Sequence, residues 1–417
     1  MEPVAPDITP SFNKIFKILK RALTIIINWL FIIPLSLIIP KRKNLIVFVG
    51  QLKGQFKDNC KYLFLYANTV KEKNNLEIYF LTEDMTTFQE LKKARLPALY
   101  FFSFSTVIKL LRAKISIHDN NVSWFMNLKY PLLFNTVKIL LWHGVGFKKI
   151  GKMMYSMNTK SNILKFMNKI KSLYCYDLFI STSKFYTDNV FRKSFNAKEI
   201  LTAGYPRNDS FHIKNDAKIL IGTDISKIKK IIRLKSQGYK NILYAPTFRD
   251  TGTDYLFKKV LDLNKFSEFL YKNKLVFIMK FHQVSNMKIK TPYDNILIYD
   301  NSKDVYPLLP YIDLLITDYS SIYMDYLILN KPVIFFPYDY HTYIRRDREI
   351  QFDYNEFTPG PKCFDQTSLE KEIINLLINK NDYYKEQRRK LLDVAFKYNK
   401  DVSEKVWDYI VKKFILK

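Results

Sequence analysis

Cysteine is almost missing from this chain. Its 417 residues hold three, Cys60, Cys175 and Cys363, far apart and in no C-x-x-C pair, so neither a zinc site nor a disulfide framework is indicated, and a reducing cytoplasm is the simplest setting. Histidine is scarce, with five copies, and no clear acidic cluster offers a metal site. Acidic residues are outnumbered 39 to 67 by lysine and arginine, for a net charge of +28. That balance attracts polyanions of any kind: nucleic acid, acidic phospholipid or a phosphate-linked polymer. With no zinc-finger spacing, helix-turn-helix signature or RRM-like aromatic motif, nucleic acid is the weaker partner. No internal repeat and no long Gly/Ser linker divides the chain, which leaves a composition shift near His212 to Asp216 as the boundary between its halves.

Strand-like apolar runs alternate with helical stretches in both halves, the pattern of parallel α/β units, and the length calls for two domains. Polar residues gather where the apolar runs end. Ile312 to Thr317 reads as a buried parallel strand, followed by Asp318, Tyr319, Ser320 and Ser321 at the start of a helix. The unpaired N–H groups of such a helix and the serine hydroxyls suit a phosphate, although Asp318 or Ser320 can equally be a plain N-cap. Val137 to Trp142 ends in His143, with two glycines and Lys148 and Lys149 close behind. Tyr244 to Arg249 presents Thr247 and a guanidinium of the kind that grips phosphate oxygens in pairs. Val276 to Gln283 ends with Lys280 and His282 on one side by strand alternation. Each histidine alone reads most simply as a structural one; together, at the edge where open parallel sheets bind ligands, they make a site.

These residues resemble the CDP-glycerol glycerophosphotransferases, the family of teichoic-acid primases and polymerases and related capsule polymerases. The resemblance rests on six ordered motifs: His143-Gly144 with Lys148, Gly204-Tyr-Pro-Arg-Asn-Asp209, Ala245-Pro-Thr-Phe-Arg249, Lys280-Phe-His282, Thr317-Asp-Tyr-Ser-Ser321, and Arg348 with Thr358-Pro-Gly-Pro361. Gln283, Phe248 and Glu349 depart from the proline, tryptophan and glycine usual at those places. The resemblance implies a GT-B-like fold of two Rossmann-like domains about a cleft. It implies His143 and His282 as catalytic residues, and a donor held by Thr247, Arg249, Lys280, Asp318, Ser320, Ser321 and Arg348. Gly144, Lys148 and Arg207 fall to the acceptor, with Arg207 and Asp209 also suited to bracing the interdomain turn. The donor implied is CDP-glycerol or CDP-ribitol and the acceptor a lipid-linked or polymeric glycan. No metal ligand set is assigned, an accompanying Mg2+ is allowed, and a homo-oligomer is possible.

At the N-terminus, Phe12 to Arg21 alternates apolar and basic residues as an amphipathic helix does. Ala22 to Ile39 then runs without a charge; as a helix it reaches ~27 Å, barely a hydrocarbon core, and Asn28 and Pro34 weaken a span. Pro40-Lys-Arg-Lys43 stands where a signal cleavage site would be. The expectation is a membrane-associating helical segment over 1–43 on the cytoplasmic face, an acceptor domain over 44–212, a donor domain over 213–399, and a C-terminal helix over 400–417 packing back. Two rival functions share these features. One is a GT-B glycosyltransferase using a sugar nucleotide for capsule or lipopolysaccharide; the other is a non-catalytic basic binder of membranes or nucleic acid.

Overall fold

The computed structural model describes residues 22–121, 128–155, 175–213, 216–249, 257–282 and 292–416. The stretch Phe12 to Arg21 and Gln283 lie outside these. The first half supplies β1 (Arg42–Val49), β2 (Glu77–Thr82), β3 (Ala98–Tyr100), β4 (Ala113–His118), β5 (Val137–Leu140), β6 (Cys175–Tyr176), β7 (Leu178–Ser181), β8 (Asn196–Ala197) and β9 (Ile200–Thr202). The second supplies β10 (Lys240–Tyr244), β11 (Leu275–Met279), β12 (Ile296–Ile298), β13 (Leu314–Thr317) and β14 (Val333–Phe335). Seven strands form one sheet in the order β3-β2-β1-β4-β5-β7-β9 and five form another in the order β12-β11-β10-β13-β14, while β6 and β8 pair separately. Every pairing is parallel. Both faces of such sheets are covered, which is why these strands read as unbroken apolar runs.

In each sheet the strand order reverses beside its first strand, between β1 and β4 and between β10 and β13. The crevice at that reversal, outside the carboxyl ends, is where open α/β sheets take ligands. The helices that matter for the site are α1 (Asp58–Val70), α2 (Ile225–Ser236), α3 (Leu263–Lys272), α4 (Ile322–Tyr326), α5 (Tyr340–Arg346) and α6 (Val402–Phe414). α2 and α3 each begin at an aspartate, Asp224 and Asp262, whose carboxylate accepts from first-turn N–H groups. One apolar cluster passes without a break from Leu140 and Phe179 in the first sheet to Leu243 and Leu315 in the second. The two domains therefore share core, and they are tied further by charge as described below.

α6 returns to the first domain. Val406, Trp407 and Ile410 join the core formed by Ile46 and Phe48, with the Trp407 ring stacked 6.2 Å from Phe48. Its first turn is capped from afar: the Asp209 carboxylate accepts from Val402 N at 2.9 Å and Ser403 N at 2.7 Å.

Residues 22–38 are helical, with a π-helical turn at Asn28–Ile32 and an α-helical end at Ile33–Ile38. The segment docks on the first domain through buried Asn28, Ile33 and Ser36, the Ser36 hydroxyl donating to Leu132 O at 3.3 Å. No helix among the described residues is long and apolar enough to cross a membrane. Asn28 and Ser36 bury polar groups on the protein side of the stretch that sequence alone marks as borderline for spanning.

Candidate active site

β5 stops at Leu140 although the apolar run continues to Trp142. The cause is Trp142, whose φ of 60° is left-handed, a conformation that costs a side-chain-bearing residue about 1–2 kcal/mol. Neighbours hold it there. Asn59 Nδ2 donates to Trp142 O at 2.7 Å, and Arg207 Nη1 donates to His143 O at 2.7 Å. The turn aims His143 into the interdomain cleft. Its Nδ1 lies 3.2 Å from Asp119 O; a carbonyl only accepts, so Nδ1 carries the proton and Nε2 keeps a lone pair. Burial lowers the imidazole's pKa below its ordinary value, with Asp58 pulling the other way. His143 is thus neutral at pH 7, the state a proton acceptor needs.

Gly144 packs closely against the other domain. A Cβ there would meet Ser321 Oγ at 3.2 Å, so the histidine loop of one domain rests directly on the serine corner of the other. Just beyond, Lys148 and Ile350 form an antiparallel bridge, Gln351 N donates to Phe147 O at 2.6 Å, and Lys149 pairs with Glu349. This pairing brings Lys148 and Arg348 to the same rim, and it gives Glu349, the residue standing where glycine is usual, a partner.

On the opposite wall, Thr247, Lys280, His282, Ser320 and Ser321 line a cleft of about 330 Å³ together with His143, Lys148, Arg207 and Arg348. Burial, then Lys57, lowers Lys280 to a pKa of about 7, and its Nζ donates to Asn301 O at 3.3 Å. Burial, then Lys280 and Lys57, lowers His282 to about 4. His282 is therefore a neutral hydrogen-bonding group among cations, and an anion placed between them would reverse that field and raise it. α4 is a single short turn and Ser321 at its N-cap makes no side-chain cap bond, so the serines do not serve as caps.

Arg249 and Asp318 sit where the sequence did not suggest. The Arg249 side chain is 0% exposed. Its Nε and Nη2 donate to Asp339 at 2.7 and 3.0 Å, Nη2 is 2.8 Å from Asp318, and Nη1 donates to Thr247 O at 2.5 Å. Asp318 Oδ1 accepts from Thr247 N at 2.8 Å and Tyr319 N at 2.5 Å. The pair lies beneath the cleft floor and locks the corners after β10, β13 and β14 together. A guanidinium with its fork already on a carboxylate cannot also grip a phosphate in pairs, so a bidentate donor clamp is not its role. Arg207 is similarly committed: Nε and Nη2 donate to Asp325 at 3.2 and 2.7 Å, and Nη1 to Asp58 at 2.6 Å. One edge of it lines the cleft, yet its donors serve as the brace between α1 and α4.

The cleft also includes residues that motif reading passed over: Gln51 and Lys57 after β1, and Asn301, Lys303 and Asp304 after β12. Their only sequence signal is position, after the carboxyl end of β1, beside the first reversal, and of β12, the edge strand of the second sheet. Among the described residues no group of three or more His, Cys, Asp or Glu is placed to hold a metal ion. The two carboxylates on the cleft wall are already engaged, Asp58 by Arg207 and Asp304 by Lys61 at 2.8 Å. These residues do not fit a resident divalent ion.

Two parallel α/β domains meeting at their ligand-binding edges, with a neutral imidazole facing a cationic wall, define a group transferase of GT-B-like architecture. The chain belongs to the family described as CDP-Glycerol:Poly(glycerophosphate) glycerophosphotransferase, which matches residues 31–412. It is similar to the teichoic acid poly(glycerol phosphate) polymerase of Bacillus spizizenii, 29% identical over 343 residues that make up 78% of this chain and 81% of that one. It is also similar to the teichoic acid ribitol-phosphate primase of the same organism, 27% identical over 349 residues, 81% of this chain and 84% of that one. Among solved structures, that of the wall teichoic acid polymerase TagF matches with a TM-score of 0.70 and 24% identity, over 97% of this chain and 98% of the other, a likeness of fold.

Proposed function

We propose that this protein transfers glycerol phosphate, or a related polyol phosphate, from CDP-glycerol to a hydroxyl of a lipid-linked or polymeric acceptor and releases CMP. The observation that carries this reading is the neutral His143 with its Nε2 lone pair, in a cleft whose other wall is lysine, arginine and hydroxyl groups. The acceptor oxygen attacks the β-phosphorus in line and its proton passes to His143 Nε2. The bond from that phosphorus to the bridging oxygen breaks, and the electron pair leaves with CMP. Little covalent work falls to the protein, so positioning and charge stabilisation dominate. Lys280 and Arg348 offset charge on the pyrophosphate, while Thr247, Ser320, Ser321 and neutral His282 donate hydrogen bonds to it. Lys148 draws the acceptor's own phosphates to the rim. Arg249, Asp318 and Arg207 hold these groups in place.

The acceptor's lipid gives meaning to an exposed apolar face. Leu23, Ile26, Leu30, Phe31, Leu35 and Ile38 are exposed on the helical segment, and Phe102, Phe104 and Ile108 are exposed on the neighbouring strand end and helix. Lys109 and Arg112 sit on that same helix. An apolar face edged with lysine and arginine suits the surface of an anionic bilayer, and the nucleotide donor puts that surface on the cytoplasmic side. Flotation with phosphatidylglycerol vesicles checks this: wild type floats, and Phe104→Glu with Ile38→Glu stays at the bottom of the gradient.

The test of the reaction is mass spectrometry of product from purified protein, membrane-derived acceptor and either CDP-glycerol or CDP-ribitol. Mass gained in polyol-phosphate steps with CMP released, both lost in His143→Ala, supports the reading and names the donor. Hexose increments from a UDP-sugar, with neither CDP-polyol used, overturn it in favour of a glycosyltransferase. One step or many separates a primase from a polymerase.

A further inference from the structure

Asn59 does not line the cleft. It is fully buried in the first turn of α1, yet both halves of its carboxamide are engaged in the site's framework. Nδ2 donates to Trp142 O at 2.7 Å and Oδ1 accepts from Arg207 N at 3.1 Å. The first bond acts on the strained residue, the left-handed Trp142 that precedes the histidine. The second fixes the turn whose guanidinium holds the next carbonyl, His143 O. The following residue on α1 fixes the remaining support, since Cys60 N donates to Asp119 Oδ1 at 2.9 Å and Asp119 O faces His143 Nδ1.

We propose that Asn59 is a positioning residue for the transfer: its carboxamide holds the left-handed Trp142 turn that aims His143 and couples that turn to the interdomain arginine. The inference rests on the glycerophosphotransferase reading. A strained backbone persists only where its surroundings over-determine it, and Asn59 is the side chain that does so from one side of the turn. No other side-chain type of this size offers an N–H donor and a carbonyl acceptor in a fixed plane. Asparagine at the start of a helix is usually a local cap; here it spends both functions on distant segments, residues 142 and 207.

The experiment compares wild type, Asn59→Asp and Asn59→Ala for CMP release from CDP-glycerol across pH, with donor-binding sites counted by calorimetry on the same samples. Asn59→Asp keeps an acceptor for Arg207 N and loses the donor to Trp142 O; Asn59→Ala loses both. The expected result is a fall in kcat per donor-binding site of about 10- to 100-fold in both, the scale of a misplacement near 1 Å, with KM and donor affinity within twofold of wild type. Asn59→Asp also moves the acid limb of kcat/KM upward, because a carboxylate beside the turn favours protonated imidazole. Asn59→Ala leaves the limb in place. A kcat per site equal to wild type in both variants overturns the assignment, as does a loss of donor affinity parallel to the loss of kcat, which would mark Asn59 as general scaffolding. Failure of the wild type itself to release CMP would instead strike at the reaction.

Discussion

A single imidazole and a single ammonium set how this site answers to pH. His143 is held below its ordinary pKa by burial, so the base form is lost only as pH falls through a value under ~6.5. The acid limb of kcat/KM should therefore lie below that of a free imidazole, and His143→Gln should abolish CMP release while leaving the CDP-glycerol isotherm intact. Lys280 works in the opposite direction. Its pKa of about 7 means the cation is present below pH 7 and lost above it, so binding a dianionic donor takes up a proton at higher pH. Donor affinity should decline between about pH 7 and 9, by up to tenfold per unit. In Lys280→Arg, which cannot lose its charge, calorimetry should find that decline flattened. Sequence supplied the residue types and their strand-end positions for both. It could not supply the shifts, since those come from burial and from Lys57, a neighbour 223 residues earlier in the chain.

At the level of elements, corners do the positioning and distant carboxylates hold the corners. The loops after β10, β13 and β14 converge on Arg249, around which Tyr319 and Tyr343 stack with ring centres 3.8 Å apart. Removing that guanidinium leaves Asp318 and Asp339 as buried, uncompensated like charges. Arg249→Ala should cost about 3–5 kcal/mol of stability, read as a lower thermal midpoint, and it should lose donor binding through collapse of the corner. Ser320→Ala should weaken donor binding with the midpoint unchanged, which distinguishes a group on the cleft wall from one beneath it. Asp209 illustrates the same economy for α6. Asp209→Ala deletes a cap on two N–H groups and should cost about 1 kcal/mol, with amide exchange accelerated over the first turn of Val402–Phe414. From sequence the end of the Gly204 to Asp209 motif reads as an interdomain brace. Its capping role is invisible there because donor and acceptor are 193 residues apart.

For the whole molecule, the relation between domains is the property on which the cleft depends, and it is fixed by buried ions. Lys61 of α1 reaches Asp304 at 2.8 Å and donates to Ile219 O at 2.6 Å, and Tyr62 OH donates to the same carboxylate at 2.7 Å. Arg207 bridges Asp58 to Asp325, with Tyr306 OH donating to Asp325 at 3.1 Å. Such pairs add little net stability, but breaking one is expensive because its partner stays buried and charged. Lys61→Met should cost about 3–5 kcal/mol and loosen the domains, seen as a larger radius of gyration by small-angle scattering and faster exchange in the Gly50 to Asp58 loop. Unchanged scattering with normal exchange would show that the shared apolar core alone sets the domain relation.

The sequence by itself determined the parts: parallel α/β units, the strand ends at which chemistry collects, and six ordered motifs with His143, His282, Lys280 and the serine pair among them. Those are local facts, written in periodicity and in residue type at a turn. Tertiary structure alone decided which charged residues face the cleft and which hold it up. Arg249 and Arg207 carry cationic side chains as Lys280 and Arg348 do, and nothing local separates them. Distant carboxylates hold both arginines, Asp339 and Asp318 for Arg249 and Asp325 and Asp58 for Arg207, and burial of a charge is a property of the assembled molecule.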